Sequence, residues 1–159
     1  MALLQPGDKA PRFILPDQDG ISVDLYSFIG KKVLIYFYPK AMTPGCTIQA
    51  CKLRDNVDIF KKLNVEIVGI SNDTPEKLLK FHEKEMLRFT LLSDKDYKVT
   101  KKFGAWGEKK FMGKIYNGVH RVSFVINPIG FIEQVFTHFK PIEHDQIILR
   151  YLNDKIIIK

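Results

Sequence analysis

The stretch Val33-Leu34-Ile35-Tyr36-Phe37-Tyr38-Pro39-Lys40-Ala41-Met42-Thr43-Pro44-Gly45-Cys46-Thr47-Ile48-Gln49-Ala50-Cys51 decides how the rest of the chain is read. Val33 to Tyr38 is an apolar run of β-branched and aromatic residues, which reads as a buried strand. Beyond the stretch, Leu53, Val57, Phe60 and Leu63 recur at spacings of four, three and three, one face of a helix. Thr43-Pro44 reads as the N-cap and first position of that helix, because threonine can cap free amides and proline has no N–H to leave unpaired there. Cys46 then falls in the first turn, where free N–H groups and the positive end of the helix dipole favour a thiolate over a thiol. It is the expected reactive thiol.

Cys51 lies five residues further on. In one regular helix that spacing gives a rise of ~7.5 Å and a rotation of ~140°, so the two Cα atoms are roughly 8.7 Å apart. A disulfide needs less than about 7 Å. The pair therefore closes only if that turn unwinds, which implies a folded reduced form and a locally unfolded oxidised form.

On the N-terminal side, residues 12–25 hold the turn signal Asp19-Gly20 between two short apolar segments and read as a β-hairpin at one edge. Tyr26 to Gly30 reads as a short helix that Gly30 ends. On the C-terminal side, Val65 to Ser71 is a second strong strand. Thr74-Pro75 repeats the cap-and-proline start, opening a helix over Leu78, Leu79, His82 and Met86. Strand-helix-strand-helix order with short links implies parallel strands and right-handed crossovers, with functional loops at the C-terminal strand ends, where the Cys46 loop sits. Phe89 to Leu92 is a short extended segment, and Asp94 opens a small helix that Gly104 stops. Residues 104–119, rich in glycine and lysine, show no clear period and are expected to be an irregular loop, with Trp106 as core filling. Residues 121–126 and 131–136 flank the turn-rich Asn127-Pro128-Ile129-Gly130 and should form an antiparallel hairpin. A last helix from about Glu143 puts Ile147, Ile148, Tyr151 and Leu152 on one side. The fold class is α/β, a central mixed sheet flanked by helices, with an N-terminal β-hairpin.

A chain of 159 residues, 45% hydrophobic and 27% charged, is expected to be a single globular domain spanning 1–159. Its longest apolar run falls far short of the ~20 residues that cross a bilayer, and its start lacks the basic and apolar regions of a signal peptide, so a cytoplasmic protein without membrane attachment is expected. Two cysteines make no disulfide scaffold. With His82, His120, His138 and His144 scattered and no short paired spacing, no metal site is expected. The net charge of +7 comes from basic residues spread along the chain, without a nucleic-acid-binding motif, so no nucleic-acid partner is expected.

Pro39, Thr43 and Cys46 match the Pro-x-x-x-Thr/Ser-x-x-Cys motif of the peroxiredoxins, and Cys51 matches the second cysteine of the bacterioferritin comigratory protein or peroxiredoxin Q subfamily. The chain resembles that subfamily throughout, in Leu-Pro-Asp-Gln-Asp-Gly at 15–20, Phe-Tyr-Pro-Lys at 37–40, Phe-Thr-Leu-Leu-Ser-Asp at 89–94, Trp-Gly-Glu-Lys at 106–109 and His-Arg-Val-Ser-Phe at 120–124. The resemblance implies a thioredoxin-like fold and an atypical two-cysteine peroxidase of antioxidant defence, acting on hydrogen peroxide and organic hydroperoxides. It implies that Cys46 is oxidised to a sulfenic acid and that Cys51 resolves it as a Cys46–Cys51 disulfide, which thioredoxin or a glutaredoxin reduces. It gives Arg121 contact with the catalytic cysteine and the peroxide, where a fixed guanidinium stabilises negative charge. Thr43 is expected to hold the peroxide as well as cap the helix. The Gly45 and Cys46 amides add donors, and Pro39 shapes and shields the loop. No metal or organic cofactor is implied, and a monomer is expected.

The chain lacks the Gly-Gly-Leu-Gly segment and the Tyr-Phe C-terminal extension that slow resolution in other peroxiredoxins, which implies resistance to sulfinic acid formation. Two other readings compete. A disulfide oxidoreductase would use Cys-x-x-Cys, which the four-residue gap here does not provide. A redox-regulated binding protein or holdase would be oxidised stoichiometrically without turnover.

Overall fold

The computed structural model describes residues 2–157. The Asp19-Gly20 turn closes the expected hairpin, in which β1 (Ile14–Pro16) pairs antiparallel with β2 (Ser22–Asp24). A short 3-10 turn over Leu25–Phe28, capped by the Asp24 carboxylate accepting from the Tyr26 amide, leads into β3 (Lys32–Phe37). Then follow α1 (Pro44–Asp55), α2 (Val57–Lys62), β4 (Val65–Ser71), α3 (Pro75–Lys84) and β5 (Thr90–Ser93). After them come α4 (Lys98–Lys102), β6 (Trp106–Phe111), β7 (Lys114–Val119), β8 (Ser123–Ile126), β9 (Ile132–Phe136) and α5 (His144–Ile157).

The central sheet has the order β5-β4-β3-β8-β9, with β3, β4 and β5 parallel and β8 and β9 antiparallel to their neighbours. Strand β3 lies in the middle and is buried from Val33 onward, as its unbroken apolar run requires of a strand covered on both faces. Alternation along it sends side chains to two cores. Leu34, Tyr36 and Tyr38 pack with Leu53, Phe60, Leu78, Phe81 and Ile148 from the helices, while Val33, Ile35 and Phe37 pack with Phe13, Leu25, Val99 and Phe103. This is the thioredoxin-like arrangement that the sequence suggests.

Four expectations are corrected. The helix after the cysteine loop is broken at Asn56, whose amide donates to the Lys52 carbonyl and to Asp145 Oδ2. The buried face continues across the break through Leu53, Val57 and Phe60. Helix α3 ends before Met86, which takes a left-handed φ of 49° and is 72% exposed, so Leu78, Phe81 and the later Leu87 form the inward face.

Residues 104–119 are not an irregular loop. Strands β6 and β7 form a separate antiparallel hairpin, turning through Met112 and Gly113, both at positive φ as tight hairpin turns require. Its side chains are mostly exposed on both faces, so neither a two-residue nor a helical hydrophobic period marks it. Trp106 packs against the core from its edge, half-buried rather than filling it: its ring lies 4.3 Å from that of Tyr97, with Lys101 Nζ 5.1 Å from its centre.

Candidate active site

The loop after β3 delivers Cys46 to the base of α1 by local rules. Thr43 is the extended N-cap and Pro44 opens the helix, as the sequence suggests. The threonine side chain does not cap the amides, however. Its hydroxyl donates to the Lys40 carbonyl at 2.8 Å, which ties the loop to itself and leaves the first-turn N–H groups of α1 without a side-chain cap. Met42 sits at φ 67°, a conformation unfavourable for a residue with a Cβ. The loop is pinned from outside by Asp73, in the link between β4 and α3, whose Oδ2 accepts from the Ala41 amide at 2.7 Å and from Ser71 Oγ at 2.8 Å.

Cys46 is 2% exposed. Arg121, in the link from β7 to β8, meets it across the chain: Nη1 and Nη2 are each 3.5 Å from Cys46 Sγ. Nη1 also donates to Gln49 Oε1 at 2.6 Å. Gln49 is fully buried one helical turn after Cys46, so a single face of α1 presents the thiol and the group that holds its guanidinium. Gly45 lies beside the guanidinium, where a Cβ would be in ordinary contact with Arg121 Nη2 at 3.5 Å.

The surroundings add charge and constraint. Lys109 on β6 donates to the Val119 carbonyl at 3.0 Å, and burial followed by the charge of Arg121 pushes its ammonium below its ordinary value. His144, at the start of α5, shares a 2.7 Å hydrogen bond with Ser123 Oγ. Burial, with Arg121 as the lesser cause, lowers its imidazole to about 3. It is therefore neutral at pH 7.

The other sequence candidates lie apart from this contact. Pro39 is half-buried and lines a cleft of about 590 Å³ with Lys40, Asp73 and Thr74; neither Cys46 nor Arg121 lines that cleft. Arg121 borders a different cleft, of about 450 Å³, with Trp106, His120, Thr137 and Phe139. Cys51 is on the same helix as Cys46 and both are free thiols, but Cys51 Sγ faces Glu85 Oε2 at 3.9 Å. Its thiol is pushed up by burial first, with Arg54 opposing and Glu85 adding to the rise.

Gln49 and Asp73 carry contacts that sequence reasoning does not assign. Gln49 had a local signal, a polar residue three positions after the cysteine on an otherwise apolar helix face. Asp73 had none, since its partner is a backbone amide 32 residues away. Among the described residues no group of three or more His, Cys, Asp and Glu side chains gathers as a metal site, and no helix is long and apolar enough to cross a membrane. A buried thiol under a fixed guanidinium at a helix N-terminus is suited to attack an electrophilic oxygen and to stabilise the oxygen that leaves.

The family described as AhpC/TSA matches residues 6–135. A putative peroxiredoxin bcp of Buchnera aphidicola subsp. Schizaphis graminum is 61% identical over 155 residues, covering 98% of each chain. Peroxiredoxin Bcp of Escherichia coli strain K12 is 59% identical over 151 residues, 95% of this chain and 97% of that one. Among solved structures, the Xanthomonas campestris bacterioferritin comigratory protein, studied for its alkyl peroxide reduction activity, superimposes with a TM-score of 0.86 at 29% identity, over 96% of this chain and 97% of that one.

Proposed function

The chain belongs to the AhpC/TSA family, which makes it a peroxiredoxin and so a peroxidase, and from that membership we propose that it reduces hydrogen peroxide and organic hydroperoxides through a sulfenic acid on Cys46. The Cys46 sulfur attacks one peroxide oxygen, the O–O bond breaks, and the second oxygen leaves as water or an alcohol. The observation that carries this reading is the approach of both Arg121 Nη atoms to Cys46 Sγ at 3.5 Å, with Gln49 holding the guanidinium. Charge on the sulfur and on the departing oxygen is then met by the same fixed cation and by the first-turn amides. With its proton engaged by the Lys40 carbonyl, the Thr43 hydroxyl retains acceptor lone pairs for the peroxide O–H. Pro39 restricts the loop that carries it.

Cys51 then attacks the sulfenic acid to give the Cys46–Cys51 disulfide, after α1 opens. A thiol reductant restores both thiols, and we assign that role to thioredoxin, with a glutaredoxin as the alternative. The proposal includes a single domain spanning 1–159 that acts as a cytoplasmic monomer in antioxidant defence. Two cysteines, too few for a disulfide scaffold, suit a reducing compartment. Fast resolution makes the enzyme resistant to sulfinic acid formation.

Thioredoxin-coupled NADPH consumption with hydrogen peroxide tests the reading in the wild type, Cys46→Ser and Cys51→Ser. Turnover is expected to vanish in Cys46→Ser and to return in Cys51→Ser only with another thiol reductant. A folded wild type that turns over no peroxide with any thiol reductant would instead mark a redox-regulated binding protein.

A further inference from the structure

Cys51 faces away from Arg121 and meets the chain that follows α3. Its Sγ is 3.9 Å from Glu85 Oε2. The same joint is closed through the main chain: Arg54 Nη1 donates to the Glu85 carbonyl at 2.6 Å, and Arg88 Nη2 donates to the Arg54 carbonyl at 3.2 Å. Arg54 Nη2 also pairs with Asp55 at 2.9 Å, and Arg88 Nη1 faces Asp58 at 3.4 Å. Glu85 is the C-cap of α3, so its carbonyl is among those a helix end leaves without an intrahelical partner, and Arg54 satisfies it with a charge-assisted bond.

We propose that Glu85 and Arg54 are positioning residues that clamp Cys51. The Glu85 carboxylate keeps Cys51 a hydrogen-bonded thiol, and the Arg54 bond to the Glu85 carbonyl holds the last turn of α1 folded, so release of this joint sets the rate of resolution. The inference rests on the peroxidase reading above and adds to it the element that opposes the second step.

The geometry of α1 makes such an element consequential. Cα atoms roughly 8.7 Å apart on a regular helix must come within about 7 Å for a disulfide. The turn that carries Cys51 to Asp55 must leave its place, and the bonds of Arg54 and Glu85 resist, beside those of Asn56 to Lys52 and Asp145 and the burial of Leu53. Burial and the Glu85 charge disfavour the Cys51 thiolate in the closed state, against the opposing charge of Arg54. The thiol is thus a poor nucleophile until it is released. Once free, Cys51 gives up its S–H proton and its sulfur bonds to the Cys46 sulfur. The Cys46 S–O bond breaks and the hydroxyl leaves with that proton as water. The Cys46 sulfur is reduced and the Cys51 sulfur oxidised.

Two variants separate the parts of the clamp. Arg54→Met removes the main-chain latch. Glu85→Gln removes only the charge, because Arg54 bonds the backbone carbonyl, which the substitution keeps. Reduced proteins are mixed with one equivalent of hydrogen peroxide in rapid-quench experiments, and peroxide loss and disulfide formation are followed separately. Site-resolved alkylation of the reduced proteins at neutral pH is read by mass spectrometry. Arg54→Met is expected to form the disulfide on the order of tenfold faster, as loss of a charge-assisted bond implies, with the peroxide step unchanged. Glu85→Gln is expected to raise Cys51 alkylation several-fold without changing Cys46 alkylation. Wild-type resolution in Arg54→Met, or wild-type Cys51 alkylation in Glu85→Gln, overturns the clamp. A wild type that consumes no peroxide overturns the peroxidase reading instead, and the alkylation arm, which needs no peroxide, still decides the clamp.

Discussion

Gln49 accepts a hydrogen bond from Arg121 Nη1 at 2.6 Å, one helical turn after the cysteine that the same guanidinium approaches. The bond joins α1 to the β7–β8 link and leaves the guanidinium little freedom to turn away from Cys46 Sγ. A positioned cation acts on the developing charge without reorganising first. Gln49→Leu is therefore expected to slow the second-order reaction of Cys46 with hydrogen peroxide by roughly 10- to 100-fold, equivalent to about 1.4–2.7 kcal/mol of transition-state stabilisation, with far-UV circular dichroism unchanged. Gln49→Glu keeps an acceptor in place but adds a buried negative charge that offsets the guanidinium, so it too should fall below the wild-type rate. A Leu variant as fast as the wild type would show that Arg121 is oriented by something else.

Asp73 does for the loop what Gln49 does for the arginine. Its Oδ2 holds the Ala41 amide at 2.7 Å, two residues before the threonine that starts α1, and the carboxylate is buried. Removing it leaves a buried amide without its acceptor, at about 1–3 kcal/mol. Asp73→Ala should lower stability by that amount and slow the peroxide reaction about tenfold, because the loop carrying Thr43 loosens. Asp73→Asn, which retains one oxygen acceptor, should recover part of both. Denaturant titration and peroxide kinetics on the same samples give the two numbers, and a loss of stability without a loss of rate would separate the loop from the chemistry.

The parts of this architecture that were legible in the sequence are those encoded over a few consecutive residues. The β3 run, the Thr43-Pro44 helix start and the Cys46 position follow from local rules, and all are found where those rules put them. The β6–β7 hairpin was not legible because its strands are exposed on both faces and rest on main-chain pairing, which leaves no hydrophobic period. Met86 belongs to an apolar helical series by type, but α3 ends before it and turns it outward. Gln49 interrupts an apolar helix face, which marks the residue but not its partner 72 positions away, and Asp73, whose partner is 32 positions away, carries no such mark. Arg121 was found through resemblance, since an arginine at a strand start is otherwise one more surface cation.

Gly69 shows how tightly β3 and β4 are matched. It lies opposite Tyr36 in the parallel pair, and a Cβ there would come within 2.8 Å of Tyr36 Cζ and 2.9 Å of its Cε1. The ring is fully buried, against Tyr38, Phe89 and His144, and has nowhere to retreat. Gly69→Ala should cost about 1–3 kcal/mol, the usual range for overpacking a core. In urea titrations the midpoint should fall while the slope stays constant. Adding Tyr36→Leu should return part of the loss, because the two changes share one contact. Additive losses in the double variant would mean that the ring is not what the new methyl group meets.

His144 links stability to pH. Burial holds its imidazole at about 3 in the folded protein, against an ordinary value of 6.5, with Arg121 as the second cause. Because the folded value is depressed, the unfolded chain binds a proton that the folded protein excludes between those limits. The contribution is complete above about pH 6.5 and is lost as pH falls toward about 3, with a slope of about 1.4 kcal/mol per pH unit inside the window. Between pH 6 and pH 4 the wild type should therefore lose on the order of 2–3 kcal/mol more than His144→Gln, whose side chain does not titrate. Carboxylates that titrate in the same range are common to both proteins and cancel in the difference. Denaturant titrations at half-unit pH steps give the two curves. Parallel curves would mean that the imidazole is protonated in the folded protein, and its 2.7 Å contact with Ser123 Oγ would then be a bond from a charged donor.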